Sequence, residues 1–373
     1  MTTGSAAVSR GARSGGQAPL AAGWHIWEVR KGQQPQIGDD AWDELVSAAD
    51  GYVTQTSGWV EYALATDYQR AVLIAGMDDE GKPRAVAVGF ISEPRWPLRR
   101  FRTVRFLAYP STGDDTAMRQ LAVATCEATA RAYGCIAMEF LSVGQPEEVT
   151  ALKPPGYTVG ELPEYVLDLR GGEQAVWTGL RRNHRRNIDL SARLGVRVVR
   201  ATSLESVRTL RELQVEVAMR HAAQGDSFRL RPTEIYDSIQ RVLIPRGLAR
   251  LYCAYVEGTA VSALLCTTFG RRARTFYAGS SERGYEARSS FAVNWHAIAE
   301  LSQEGFAELS FGVGEDTPKG AAQGLHDFKV GFGARTRRTG AATKHLWPGA
   351  VRVYHALELA RSSLRATAGE GNG

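Results

Sequence analysis

Apolar positions along this chain switch between a two-residue and a 3.6-residue period, and the switches mark out its elements. Residues 24–29 alternate as a short strand, and 41–49 carry Trp42, Leu45, Val46 and Ala49 at the spacing of an amphipathic helix. A second helix opens at 55–64 behind Thr56 or Ser57 as its N-cap. Apolar strands at 70–76 and 84–91 flank the turn residues Asp78, Asp79, Glu80 and Gly81, the signature of a hairpin. A strand at 104–108, an Ala-rich helix at 116–133 stopped by Gly134, and a strand at 135–140 follow.

After the Pro/Gly stretch at 153–156 and Pro163 the same order of elements recurs. Residues 165–169 predict a strand, and 173–194 one helix stopped by Gly195. Next come a strand at 196–200, helices at 204–220 and 233–242, and strands at 249–256 and 259–269 paired across Glu257-Gly258. A strand at 274–279, a helix at 290–304 and a strand at 308–312 close the second cycle. The expected fold class is α/β with mixed α+β sheets, built as a doubled unit.

Length and composition fit this. The chain has 373 residues, 44% apolar and 23% charged, enough for two cores. Residues 1–22 and 366–373 read as flexible tails, 23–164 as a first domain and 165–339 as a second, with 340–365 packing back on the first. No apolar run is long enough to span a bilayer, so no membrane insertion is expected. Cys126, Cys135, Cys253 and Cys266 lack C-x-x-C spacing and sit in apolar segments, as buried thiols of a cytoplasmic protein would.

The net charge is +5, and the basic residues cluster: Arg95, Arg99, Arg100, Arg102 and Arg105; Arg181, Arg182, Arg185 and Arg186; Arg335, Arg337 and Arg338. Such clusters suit a polyanionic partner, or are solvated faces of an Arg-rich protein. Lys, by contrast, occurs only at 31, 82, 153, 319, 329 and 344. Lys329 falls in a glycine-punctuated stretch from Phe311 to Gly333, expected to be a loop, and is the candidate reactive centre. His184, His221, His296, His326 and His345 have no metal-ligand spacing, so no metal is expected. No G-x-x-x-x-G-K-[ST] loop and no G-x-G-x-x-G after a strand supports ATP or dinucleotide use.

Several segments together resemble the FemABX family of aminoacyl-tRNA-dependent peptidyltransferases. They are Gln55-Thr-Ser-Gly-Trp59, Tyr165-Val-Leu-Asp-Leu169, Leu180-Arg-Arg-Asn-His-Arg-Arg-Asn-Ile188, Tyr277-Ala-Gly-Ser-Ser281, Asn294-Trp295 and Gly324-Leu-His-Asp-Phe328-Lys329-Val-Gly-Phe-Gly333. The likeness runs in order from about residue 50 to 335. It implies two tandem GNAT-like domains in a compact form, aminoacyl-tRNA as co-substrate, no further cofactor, and a small-molecule or peptide amine as acceptor.

By the same resemblance Lys329 lies near the reacting carbonyl, with Phe328 shaping the pocket. Tyr277 is implied in the acceptor cleft, though it reads equally as a core aromatic. Arg220 is implied as an anion-binding residue, with His221 as good a candidate, and Arg181, Arg182, Arg185 and Arg186 as contacts to tRNA. Cell-wall members carry a Lys shortly after the Gln-x-x-x-Trp motif to hold the acceptor's diphosphate. This chain has Tyr62 and Ala63 there, so Tyr62 is the substrate-binding candidate and a natural-product intermediate is an acceptor to weigh beside a muropeptide. Two rivals remain: an acyl-CoA N-acyltransferase, for which no [RQ]-x-x-G-x-[GA] pyrophosphate loop is evident, and a non-catalytic RNA-binding protein.

Overall fold

A computed structural model describes residues 23–33, 35–94, 98–113, 115–142, 155–223, 225, 228 and 230–369. The expected tail at 1–22 and residues 370–373 of the one expected at 366–373, with Arg95 and Lys153, lie outside those residues.

The first half consists of β1 (Trp24–Arg30), α1 (Asp39–Ala48), α2 (Ser57–Thr66), β2 (Arg70–Met77), β3 (Pro83–Ser92), β4 (Arg102–Phe106), α3 (Thr116–Ala132) and β5 (Cys135–Leu141). Local chemistry sets the boundaries. Thr56 Oγ1 accepts from Trp59 N and caps α2, Asp115 caps α3 by accepting from Met118 N, and Asp78 Oδ1 closes the β2–β3 turn by accepting from Lys82 N. β2 and β3 are buried on both faces, which is why they read as continuous apolar runs.

The second half begins with β6 (Thr158–Asp168), α4 (Gly172–Gly179), α5 (Arg182–Arg193), β7 (Arg197–Ala201), α6 (Leu204–Ala223) and α7 (Thr233–Ser238), which continues as a π turn at Ile239–Leu243. It goes on through β8 (Ala249–Val256), β9 (Thr259–Phe269), β10 (Arg272–Ser280), α8 (Glu282–Glu286), α9 (Ser289–Gln303), β11 (Glu308–Val313) and α10 (Ala321–Gly331). Finally β12 (Arg335–His345) and α11 (Pro348–Gly369) follow.

All twelve strands form one sheet, in the order β1-β2-β3-β4-β5-β12-β6-β11-β10-β9-β8-β7. Each half is an antiparallel meander ending in a parallel pair, β4 with β5 and β10 with β11, with α3 or α9 in the crossover. The element order recurs, as the sequence predicted. At the centre the halves trade strands: β6 follows β5 in the chain but pairs with β11, whereas β12 follows β11 and pairs with β5. The boundary expected at 164/165 therefore falls inside β6, and Gly340 to His345 lie on the first half's β5.

One face of the sheet carries a core common to both halves, from Trp42, Tyr62 and Leu73 to Leu210, Tyr236 and Leu251. The opposite face has two separate cores, one under α3 with Val104 and Phe140, the other under α4, α5, α9 and α10 with Leu167, Ile298 and Phe332. All four cysteines are buried and unpaired. No helix among the described residues is long and apolar enough to cross a membrane.

Four expectations need correction. The helix expected over 173–194 breaks at Leu180-Arg181, which are extended, because Arg181 N leaves the helical ladder to donate to Gly331 O at 2.9 Å. The stretch around Lys329 is a helix, α10, and not a loop. Two of its glycines serve close packing: a β-carbon at Gly314 would meet the Tyr165 ring at 2.4 Å, and one at Gly331 the His184 ring at 1.8 Å. Residues 366–369, expected to open the C-terminal tail, continue the helix α11. The Arg335 cluster is largely occupied internally: Arg337 is bound to Glu164 and Glu308, and Arg338 to Glu161 and Asp316.

Candidate active site at the seam of the halves

β10 and β11 pair in parallel only across Arg272–Arg274 and Glu308–Ser310; past Ser310, β11 turns to Glu164 of β6 while β10 runs on beside β9. Parallel strands that part at their carboxyl ends leave a crevice of the kind in which α/β sheets bind ligands. Lys329, projecting from α10, is seated at that end of β11. Its Nζ donates to Val313 O at 3.1 Å and lies 4.7 Å from the centroid of the Tyr165 ring, and the residue is only 5% exposed. Tyr165 is held in turn by a 2.8 Å hydrogen bond between its hydroxyl and His326 Nδ1. Burial and, after it, the Arg274 guanidinium push the Lys329 amine down to about 8, against the pull of Glu164.

Phe328, the neighbouring residue on α10, enters an aromatic group with His184, Phe291 and Phe332, at centroid distances of 5.8, 5.2 and 5.1 Å. His184 Nε2 is 2.9 Å from Phe328 O, so the imidazole of α5 is tied to the backbone just before Lys329. Burial lowers the His184 pKa, which keeps the ring neutral and able to donate that bond. Phe328 thus stands behind Lys329 as packing.

Tyr62 and Tyr277 are brought together although 215 positions apart in the chain. A bulge between Thr275 and Tyr277 interrupts the alternation of β10, and Phe276 and Tyr277 both pack into the aromatic group around Tyr62. The two tyrosine hydroxyls bond each other, Tyr277 also reaches Arg231, and Arg231 is anchored on Asp67 Oδ2 at 2.7 Å. Burial raises the pKa of both phenols, so they remain protonated hydrogen-bonding groups.

Arg220 is placed at the carboxyl end of β10. It donates to Ser280 O and covers the Tyr285 ring at 4.8 Å, while His221 stacks on Phe228. Ser280 and the Lys329-coupled Arg274 are near opposite ends of β10, roughly 20 Å apart at about 3.3 Å per residue. Among the described residues no hydrogen bond joins Arg220 to Lys329.

Arg181, Arg182 and Arg186 are exposed and Arg185 is half-buried. Arg181 pairs with Asp327 of α10 at 3.4 Å and Arg185 donates to Thr178 O, whereas Arg182, Arg186, Arg193 and Arg197 have no carboxylate partner among the described residues. This basic face is thereby joined to the helix that carries Lys329.

Sequence reasoning missed Glu164, Arg274 and His184 as neighbours of this site. Glu164 and Arg274 showed only as charges within strands and His184 as one polar residue of a polar helix, and what they meet depends on segments from distant parts of the chain.

Residues 178–330 match a family model described as an acetyltransferase (GNAT) domain. The structure is similar to that of a FemX, with a TM-score of 0.72, 15% identity, and coverage of 85% of this chain and 98% of that one. It is also similar to the L-PGS of Bacillus licheniformis, at TM-score 0.53 and 14% identity over 84% and 95% of the two chains. A tandem GNAT protein from the clavulanic acid biosynthesis pathway, solved without AcCoA, gives TM-score 0.50 and 12% identity over 86% and 98%. No curated protein matches the sequence. The FemABX resemblance of the motifs thus extends to the fold, a tandem of GNAT-like units.

Proposed function

We propose that this protein is an aminoacyl-tRNA-dependent transferase that forms an amide between the aminoacyl group and an acceptor amine. The observation that carries this reading is Lys329: an amine buried at the open end of the β10–β11 pair, on a helix whose outer side is joined to an exposed arginine face.

The chemistry follows from that placement. A neutral acceptor amine attacks the ester carbonyl, a C–N bond forms, and the carbonyl oxygen becomes an oxyanion. The Lys329 ammonium stabilises that oxyanion, an effect worth about 3 to 4 kcal/mol for single donors elsewhere. Collapse breaks the C–O bond to the terminal ribose, and the proton lost by the amine ends on the departing ribose oxygen. With its pKa near 8, Lys329 is charged at neutral pH yet close enough to exchange a proton.

The absence of a Lys at Tyr62, whose hydroxyl is bonded to Tyr277, supports a small amine or peptide-like natural-product intermediate rather than a diphosphate-bearing muropeptide as acceptor. The match to an acetyltransferase domain favours a second reading, with acyl-CoA as donor. Incubation with mixed charged tRNAs and candidate amines separates the two. RNase-sensitive amide formation is expected, and release of CoA thiol from acyl-CoA without any tRNA requirement would overturn the proposal.

A further inference from the structure

A small cavity of about 60 Å³ lies at the seam of the two halves, beside Lys329's electrostatic partners. Its walls include Thr54, from the turn before α2, Trp59 from α2, and Arg274 and Phe276 from β10. Three of these side chains bring polar atoms that are buried and without a hydrogen-bond partner: Thr54 Oγ1, Trp59 Nε1 and Arg274 Nε. Two of the three are N–H groups that can only donate, and the hydroxyl can donate as well. Buried donors are nearly always satisfied in folded proteins, so three unpartnered ones on side chains that line one cavity point to an acceptor that belongs there.

The wall carboxylates do not fill this role, because both are engaged. Glu164 accepts from Ser310 Oγ on one oxygen and from Arg337 Nε on the other, and the Arg337 fork takes both oxygens of Glu308 at 3.0 and 3.2 Å. Asp50 pairs with Arg272. Charges at the seam consequently balance, two carboxylates against Arg337 and Arg274, with the Lys329 ammonium left over. An anion would complete the balance and supply the missing acceptors.

We infer that this cavity is a carboxylate-binding pocket, held by Arg274, Trp59 Nε1 and Thr54 Oγ1, that takes the acid group of a small substrate. A space of about 60 Å³ is ample for a carboxylate group. Arg274 acts as the charged donor and Trp59 as the directional one, on a hydrophobic wall that Phe276 completes, its ring 5.4 Å from that of Trp59. Which substrate brings the carboxylate rests on the transferase reading, where it belongs to an amino-acid-like acceptor. Binding of the carboxylate itself does not rest on it.

The Trp59 indole N–H is a built-in reporter. Acetate and propionate, titrated at constant ionic strength with chloride as the balancing anion, should shift its ¹H–¹⁵N resonance saturably, the peak being assigned by its loss in Trp59→Phe. Acetamide, the neutral isostere, should leave it in place. Arg274→Met should weaken acetate binding at least tenfold and Thr54→Val severalfold, each with an otherwise folded amide spectrum; Thr54→Val alone serves should Arg274→Met not fold. An indole peak that ignores acetate, that moves equally with acetamide, or that keeps its affinity in the folded variants would overturn the pocket. Carboxylate binding without any tRNA-dependent amide formation would leave the pocket standing and remove the transferase reading alone.

Discussion

Gly331 stands against the imidazole of His184, so closely that a β-carbon at 331 would fall 1.8 Å from Cε1 and 2.4 Å from Nδ1. The same ring is bonded to Phe328 O, and Gly331 O accepts from Arg181 N, so α5 and α10 are locked by contacts within one turn of Lys329. Gly331→Ala must push the helices apart, at a cost of about 1 to 3 kcal/mol for overpacking. It should also lower turnover at least tenfold by shifting the Lys329 amine. Urea denaturation of Gly331→Ala, His184→Ala and the double variant checks the origin. The double variant should be less destabilised than the sum, since removing the ring frees the space. A Gly331→Ala protein as stable as its parent would contradict the close approach.

Lys329 gives a pH signature with a definite sign. Its folded pKa, about 8, is below the usual Lys value of 10.5, so folding penalises the protonated form. Below pH 8 folded and unfolded chains are both protonated and the penalty is full; from 8 to 10.5 the folded amine is neutral and the penalty is relieved. Lys329→Met should therefore be more stable than the parent at pH 7, with the difference shrinking toward pH 10.5. Turnover of the parent should fall above pH 8 as the ammonium is lost. Lys329→Arg, permanently charged, should lose that alkaline limb, and Lys329→Met should drop turnover by roughly 10² to 10³. Stability curves and pH–rate profiles of the three proteins decide this, and an alkaline limb retained in the Arg variant would reassign it to another group.

The strands that sequence pattern revealed are those whose burial comes from apolar runs, such as β2, β3 and β9. β12 escaped because its sequence, Arg335-Thr-Arg-Arg-Thr-Gly-Ala-Ala-Thr-Lys-His345, is mostly polar, with only Ala341 and Ala342 apolar. It becomes a central strand only because Glu161, Glu164, Glu308 and Asp316 arrive from elsewhere to neutralise Arg337 and Arg338. α10 was mistaken for a loop because glycine lowers helix propensity locally, while the reason for Gly331, the His184 ring packed against it, is tertiary. Lys329 was legible through the scarcity of lysine in an Arg-rich chain. Arg274 was not, since its isolation exists only once both halves close around the seam.

Tyr62 and Tyr277 hydroxyls should be energetically coupled. Each Tyr→Phe change removes one end of a buried hydrogen bond at a cost of about 1 kcal/mol, and the second change should cost less once the first has been made. A double-mutant cycle on thermal or urea unfolding should show the double variant less destabilised than the sum of the singles, by roughly 0.5 kcal/mol or more. If the pair also seats the acceptor, Tyr277→Phe should raise the acceptor KM while leaving the KM for the aminoacyl donor unchanged. Strict additivity in the cycle would mean that the hydroxyls do not share a bond.

The arginine face of α5 makes a prediction about salt. Phosphate contacts release counterions, so the logarithm of the tRNA association constant should fall linearly with the logarithm of salt, by about 0.7 to 0.9 per contact. Arg182 and Arg186 are exposed and free of carboxylate partners among the described residues, so replacing both by Ser removes charge without breaking an internal ion pair. The double variant should fold like the parent, bind tRNA more weakly at every salt concentration, and show a slope shallower by roughly 1.4 to 1.8. Arg338, which binds Glu161 and Asp316, is the internal control: Arg338→Ser should leave the slope unaltered. Binding titrations by fluorescence anisotropy from 50 to 300 mM salt, as a rough working window, read both slopes. A parent slope near zero, or one equally shallow in the Arg338 variant, would place the tRNA on another surface, because only phosphates held by otherwise unpaired arginines transmit the salt effect.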